Sequence, residues 1–99
     1  MAKEPRRHKI TPAEARKLME KRPPGLQERG GHFPREVIDA ILAQPGCTGI
    51  RFYYGTNTDG TSALVLVGMD ANDADMTSGE IIDNHFPCPP FCDVDSLLA

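Results

Sequence analysis

At 99 residues the chain has room for one domain, and a domain of that size buries well under about three quarters of its unfolded surface, so its own core leaves a small stability margin. Apolar content of 39% and charged content of 25%, with nine Gly and nine Pro, describe a small, loop-rich protein. The longest apolar run, Ala63 to Val67, is far too short to cross a bilayer, and an odd cysteine count of three argues against a secreted disulfide framework.

The start, Met1 to Lys9, is basic, and no apolar stretch like the core of a signal peptide follows it. The expected location is therefore the cytoplasm, and no membrane partner is expected. The net charge of −3 hides an asymmetry. Residues 1–22 hold Lys3, Arg6, Arg7, Lys9, Arg16, Lys17, Lys21 and Arg22, whereas residues 52–99 hold Asp and Glu but no Lys or Arg. These are either solvated faces that attract each other within one chain, or a basic arm that reaches an acidic surface on a neighbouring copy. Nucleic-acid binding would rest on that arm alone, without interleaved aromatic residues, and the acidic remainder would repel phosphates.

Thr11-Pro12-Ala13-Glu14 is a helix start. Thr11 is placed to accept from the free amides, Pro12 suits the first turn, and Glu14 can reach back. The helix is expected to run to about Arg22, where Pro23-Pro24-Gly25 ends it, and its apolar stripe is Ala15, Leu18 and Met19. Gly25 to Gly31 reads as a loop. Gly30-Gly31 before a helix is one part of a phosphate loop, but no strand leads into it and no Lys follows, so a hinge is the expectation.

Phe33-Pro34 opens a second helix that should end near Gln44-Pro45-Gly46, with Phe33, Val37, Ile38, Ile41 and Leu42 on one apolar face. From Thr48 the period changes to two, with Ile50, Phe52 and Tyr54 on one side and Arg51 and Tyr53 on the other. Gly55 to Gly60 is turn chemistry, and Ser62 to Met69 reads as the returning strand of a β-hairpin, apolar on both faces. A two-stranded sheet is rarely stable alone. Either the short Glu80-Ile81-Ile82 adds a third strand, or a second copy completes the sheet through its free edge.

Ala71 to Gly79 is an acidic loop. Counted from Asp70 it misses the calcium-loop pattern, with Asp75 where glycine is needed and Ile81 where a bidentate Glu is needed. His85-Phe86-Pro87-Cys88-Pro89-Pro90-Phe91-Cys92 is the most chemically concentrated stretch, and it leaves three readings open: a metal loop, a disulfide loop, or a rigid proline-framed tail with packed thiols. For metal, His85, Cys88 and Cys92 together with Cys47 make a zinc-compatible set. On an extended path at roughly 3.1 Å per residue, Cys88 and Cys92 would lie about 12 Å apart, beyond shared metal ligation or a disulfide. A turn at Pro90-Phe91, or a cis bond before Pro89 or Pro90, would be required to join them. Redox activity lacks the two-residue cysteine spacing at a helix N-terminus. Cys47 as a nucleophile with His32 or His85 as base is weak, because the end of a helix disfavours a thiolate.

Ile41 to Gly55 with its Gln-Pro-Gly-Cys corner, Leu64-Val65-Leu66-Val67-Gly68-Met69-Asp70-Ala71, and Phe86-Pro87-Cys88-Pro89-Pro90-Phe91-Cys92 resemble a family of small uncharacterised bacterial proteins. The resemblance covers Phe33 to the C-terminus, and the Cys-Pro-Pro-x-Cys motif is its most specific part. It implies a bacterial intracellular protein and carries over no activity, cofactor or catalytic residue.

The expected fold is α+β, with two helices packed on a β-hairpin, room for a third short strand, and an irregular Pro/Cys-rich C-terminal segment. Residues 1–32 are read as a basic N-terminal arm and helix, and residues 33–99 as the core with its tail, in a single domain overall. No acid–base pair, activated nucleophile or phosphate loop has convincing spacing, so no catalytic residue is assigned. The expected function is non-enzymatic self-association, with Tyr53, Leu64, Leu66, Phe86, Phe91 and Leu97 as apolar contacts and Arg6, Arg7, Arg16 and Lys17 as the electrostatic side. No cofactor is expected on that reading. The alternative is a zinc-binding or thiol-based module of Cys47, His85, Cys88 and Cys92.

Overall fold

Thr11 ends the extended approach to the first helix by a reciprocal cap. Its hydroxyl accepts from the Glu14 amide at 3.2 Å, and the Glu14 carboxylate accepts from the Thr11 amide at 3.2 Å. In the computed structural model, which describes residues 8–23, 25 and 28–98, this cap starts α1, Pro12–Glu20. The helix closes two residues before Arg22, where the Lys21 amide turns back to the Leu18 carbonyl at 3.2 Å. No residue of α1 is buried, and Leu18 is exposed.

The chain divides into two units, Gln27–Cys92 and Met1–Leu26 with Asp93–Ala99. Residues 28–32, grouped with the N-terminal arm by sequence, fall in the unit Gln27–Cys92. In the other unit, residues 93–98 form short turns, with the Asp95 amide on the Asp93 carboxylate at 3.1 Å and the Leu98 amide on the Ser96 hydroxyl at 2.9 Å.

Within Gln27–Cys92, Pro34 stands at the cap of α2, Arg35–Leu42, and Ile41 on its apolar face is fully buried. Gln44 finishes the helix with its side chain. Its Nε2 donates to the Ile41 carbonyl at 2.9 Å, satisfying an end-of-helix acceptor, and its Oε1 accepts from the Glu80 amide at 2.9 Å. The helix is thereby tied to the segment entering a later strand.

Two eight-residue strands, β2 (Gly49–Thr56) and β3 (Ser62–Met69), pair antiparallel from Gly49↔Met69 to Thr56↔Ser62. Asp59 shapes the connection by accepting from the Thr61 amide at 3.0 Å and hydroxyl at 2.6 Å, and Gly60 takes φ +89°, which favours glycine. A third strand, β4 (Ile81–Ile82), pairs with β3 at Leu66↔Ile82 and Val67↔Ile81, so the order is β2-β3-β4. The doubly apolar β3 is thus the central strand. Leu66 and Val67 are buried, and α2 lies against β2 and β3, with Gly68 leaving room for Ile41, Gln44 and Cys47.

A second sheet departs from the sequence expectation. β1 (Gly30–His32) pairs antiparallel with a last strand, β5 (Phe86–Cys88), through Gly30↔Cys88, Gly31↔Pro87 and His32↔Phe86. The stretch taken for a hinge is therefore a strand, and part of the segment taken for irregular is its partner. The reason is steric. At Gly31 a Cβ would run into the His85 ring and the Phe86 carbonyl, so glycine allows a backbone approach that no side-chain pattern announces.

Candidate functional site

The Pro/Cys segment turns back on itself. The Cys88–Pro89 and Pro89–Pro90 bonds are both cis, the Cα atoms of Cys88 and Cys92 stand 4.8 Å apart, and the two cysteines form a disulfide. Of the three readings open in the sequence, the structure has the disulfide loop, reached by the turned path rather than the extended one. The Phe91 amide donates to the Pro87 carbonyl at 2.9 Å, and the Arg29 amide donates to the Cys88 carbonyl at 2.6 Å, docking the loop's first residue on the segment leading into β1.

Three rings gather on this frame. His32 of β1 stacks on Phe86 of β5 with centroids 5.1 Å apart, Phe91 meets Phe86 edge-on at 5.4 Å, and Phe91 stands perpendicular to His32 at 6.5 Å. Edge-on and offset geometries suit the aromatic quadrupole. Phe86 is 43% exposed and Phe91 54% exposed, so the cluster is a surface platform. Behind it, His85 packs its ring against Phe33, and its Nδ1 is shielded from solvent with no hydrogen-bond partner among the described residues. Beside it lies a recess of about 350 Å³, with Glu28, Asn57, Asp59, Asn84, His85 and Pro87 in its wall. The Thr61 hydrogen bonds hold the Asp59 carboxyl below the usual carboxylate range.

On β2 a different cluster forms. The Arg51 guanidinium donates to Asp75 Oδ1 at 2.6 Å and to the Asp73 carbonyl at 3.0 Å, and the Tyr53 hydroxyl donates to Asp75 Oδ2 at 2.5 Å. With the Met69↔Asp75 bridge, this clasp pins the acidic loop to the sheet. The Tyr53 hydrogen bond, and then Arg51, hold the Asp75 carboxyl below its ordinary range. The hydrogen bond to Asp75, reinforced by burial, raises the Tyr53 phenol. By sequence alone residues 71–79 are an acidic loop with no assigned partner. The signal was Arg51 and Tyr53 sharing a strand face, but nothing local names Asp75 as their partner.

The expected site residues are distributed as follows. Phe86 and Phe91 meet on the platform. Tyr53 is half exposed on β2, the edge strand, and holds Asp75. Leu64 is partly buried in β3, and Leu66, expected as a contact, is a core residue at 8% exposure because β3 is the central strand. Leu97, Arg16 and Lys17 are exposed in the other unit, and Arg6 and Arg7 lie outside the described residues. Cys47 sits at the corner between α2 and β2, where its thiol donates to the Gly49 carbonyl at 3.2 Å. Cys88 and Cys92 are bonded to each other, and no group of three or more His, Cys, Asp or Glu side chains among the described residues could hold a metal ion.

Comparison with protein-family models, with curated proteins and with solved structures gives no match. No helix among the described residues is long and apolar enough to cross a membrane.

Proposed function

We propose that this chain is a non-enzymatic assembly module that pairs with further copies of itself. The observation that carries the reading is the distribution of apolar side chains. Among the described residues the buried core is Ile41, Leu66 and Val67, while Phe52 at 53%, Tyr54 at 85%, Phe86 and Phe91 remain exposed. Burying such rings against a partner recovers solvation free energy that the isolated chain leaves unused.

The occupant we assign to the β2 edge is β2 of a second copy. β2 ends the strand order, so its outer backbone groups have no strand partner among the described residues. Its eight residues contain no proline and no lysine, and an edge of that kind is a template for another strand. The aromatic platform and Leu97 supply further apolar contact in this reading. Charge supports the same arrangement. The unit Gln27–Cys92 has Arg29, Arg35 and Arg51 as its cations, outnumbered by its carboxylates, whereas residues 1–22 are basic through Arg6, Arg7, Arg16, Lys17 and their neighbours. A basic arm from one copy complements the acidic unit of another. A cytoplasmic location and membership of a bacterial Cys-Pro-Pro-x-Cys family belong to the same proposal.

Native mass spectrometry and sedimentation across a concentration series test it. A dimer or larger species is expected, weakened in Tyr54→Lys, which places a charge at an exposed edge position without touching the core. A monomer at high micromolar concentration would sink the reading. The second reading, a thiol-based module that includes the zinc set Cys47, His85, Cys88 and Cys92, is favoured in its thiol part by the Cys88–Cys92 bond. It predicts loss of stability in Ser variants of those two cysteines with subunit number unchanged.

A further inference from the structure

We infer that Cys88 and Cys92 form a thiol–disulfide exchange site whose redox state decides whether the His32–Phe86–Phe91 platform is assembled; only what the assembled platform then does rests on the function proposed above. Cys88 is the last residue of β5 and is held by its pairing with Gly30 and by the Arg29 amide at 2.6 Å. Cys92 lies beyond the strand. Apart from the disulfide, the backbone bonds that shape its loop are local ones, Phe91 to Pro87 at 2.9 Å and Cys92 to Pro90 at 3.0 Å. Two ties thus return this loop to β5, the Phe91–Pro87 hydrogen bond and the disulfide, and the disulfide is the covalent one that fixes Cys92.

Phe91 sits inside the ring that this link closes, so the position of its side chain over Phe86 and His32 depends on closure. Both cysteines are partly exposed, and Pro89, Pro90 and Phe91 are exposed, which leaves the bond open to a thiol from outside. Cys47 is held at the corner between α2 and β2 by its bond to Gly49, so the resolving thiol is assigned to the donor.

The co-reactant is a dithiol. Its thiolate attacks one sulfur of the Cys88–Cys92 bond, forming a mixed disulfide and releasing the other sulfur as a thiolate that takes up a proton. The donor's second thiolate then attacks the mixed disulfide and releases the remaining cysteine. Two electrons pass to the cysteine pair, and the donor leaves as a disulfide. Reoxidation runs the same steps in reverse.

The test uses the full chain in reduced dithiothreitol and, after its removal, in excess oxidised glutathione, with thiol counting after denaturation and NMR of the imidazole protons, assigned with His32→Gln. Oxidised protein should give one thiol, Cys47, and reduced protein all three. The His32 resonances, displaced in the oxidised form by the currents of two neighbouring rings, should move toward exposed-imidazole positions on reduction and return on reoxidation. Cys92→Ser should match the reduced form in either buffer. Three thiols after oxidised glutathione, or His32 resonances that stay in place while the bond is reduced, would overturn the inference. Native masses taken on the same samples separate the two claims. His32 signals that respond to redox in a chain that is monomeric throughout would uphold the exchange site and remove the assembly reading.

Discussion

In the three-stranded sheet, β3 runs between β2 and β4 and buries Leu66 and Val67, while in the two-stranded sheet three residues of β1 face three of β5 and the rings of Phe86 and Phe91 stay about half exposed. The first sheet is stabilised by removing aliphatic surface from water. The second has almost no such surface to remove, and a sheet of two short strands is marginal at best. What holds β1 to β5 is their backbone pairing with the Arg29 amide on Cys88, the His32–Phe86 ring stack and a glycine that lets His85 approach the backbone. Side chains that a burial-based sheet would place inside therefore remain outside. If the two sheets depend on different forces, each should fail without the other.

The largest effect is expected from Ile41→Ala. Ile41 is fully buried and lies next to Gly68, so truncation leaves a cavity at the junction of helix and sheet, with a loss of about 2–5 kcal/mol. For a chain with so few buried aliphatic side chains, that is a large share of its total stability. Urea unfolding measures it, and the midpoint should fall steeply. An unchanged midpoint would mean that the burial-based sheet is held by something other than this core.

Gly31→Ala should break the other side of the comparison. Its new methyl meets the His85 ring and the backbone carbonyl of Phe86, and the carbonyl cannot yield as a flexible side chain would. Overpacking of this kind costs about 1–3 kcal/mol. The loss should be local. In hydrogen exchange the Arg29 amide, bonded to Cys88, should lose protection while the amides paired between β2 and β3 keep theirs. Equal loss in both sheets would show one cooperative unit and remove the distinction.

The same physical difference decides how much was legible in the sequence. Thr11, Pro12 and Glu14 mark the start of α1 because a cap needs those groups at that spacing, and the structure has the reciprocal bonds. Alternation marks β2 although its Phe52 and Tyr54 stay exposed, and the apolar run from Leu64 to Val67 marks a strand whose burial leaves its trace in the sequence. β1 leaves none. Two glycines and a histidine carry no hydrophobic period, and their partner is more than fifty residues away, so the strand appears only once the fold brings Pro87 and Cys88 alongside. The concentration of His, Cys and Pro in residues 85–92 did announce a special segment. Which cysteine chemistry it would adopt turned on the path of two prolines. Leu66 was misplaced for a related reason. A doubly apolar strand shows that both faces are covered without showing which neighbours cover them, and here those neighbours belong to the same chain.

The smallest expected effect sharpens the comparison at the boundary between the burial-based sheet and the loop clasped to it. Asp75 has its carboxyl lowered first by the Tyr53 hydroxyl and then by Arg51, so its contribution to stability is fully present above the pKa of an unfolded aspartate and disappears as pH falls through the lower folded value. Tyr53 has the opposite sign. Its phenol is raised, chiefly by donating to Asp75, so its contribution is present below the pKa of an unfolded tyrosine and is lost as pH rises through the higher folded value. The clasp should therefore hold across the whole interval between these limits and open at either end. With two tyrosines in the chain, Tyr54→Phe leaves Tyr53 as the sole phenol, and its ionisation can be followed by ultraviolet absorbance. Adding Asp75→Ala should move that alkaline midpoint downward toward the ordinary phenol value, because the acceptor that favours the protonated form is gone. The Cys88–Cys92 loop should be unaffected by this change, since it makes none of these bonds. Coincident midpoints in the two variants would show that the Tyr53–Asp75 hydrogen bond does not set the phenol's protonation, and the acidic loop would then be held by Arg51 and the Met69–Asp75 bridge.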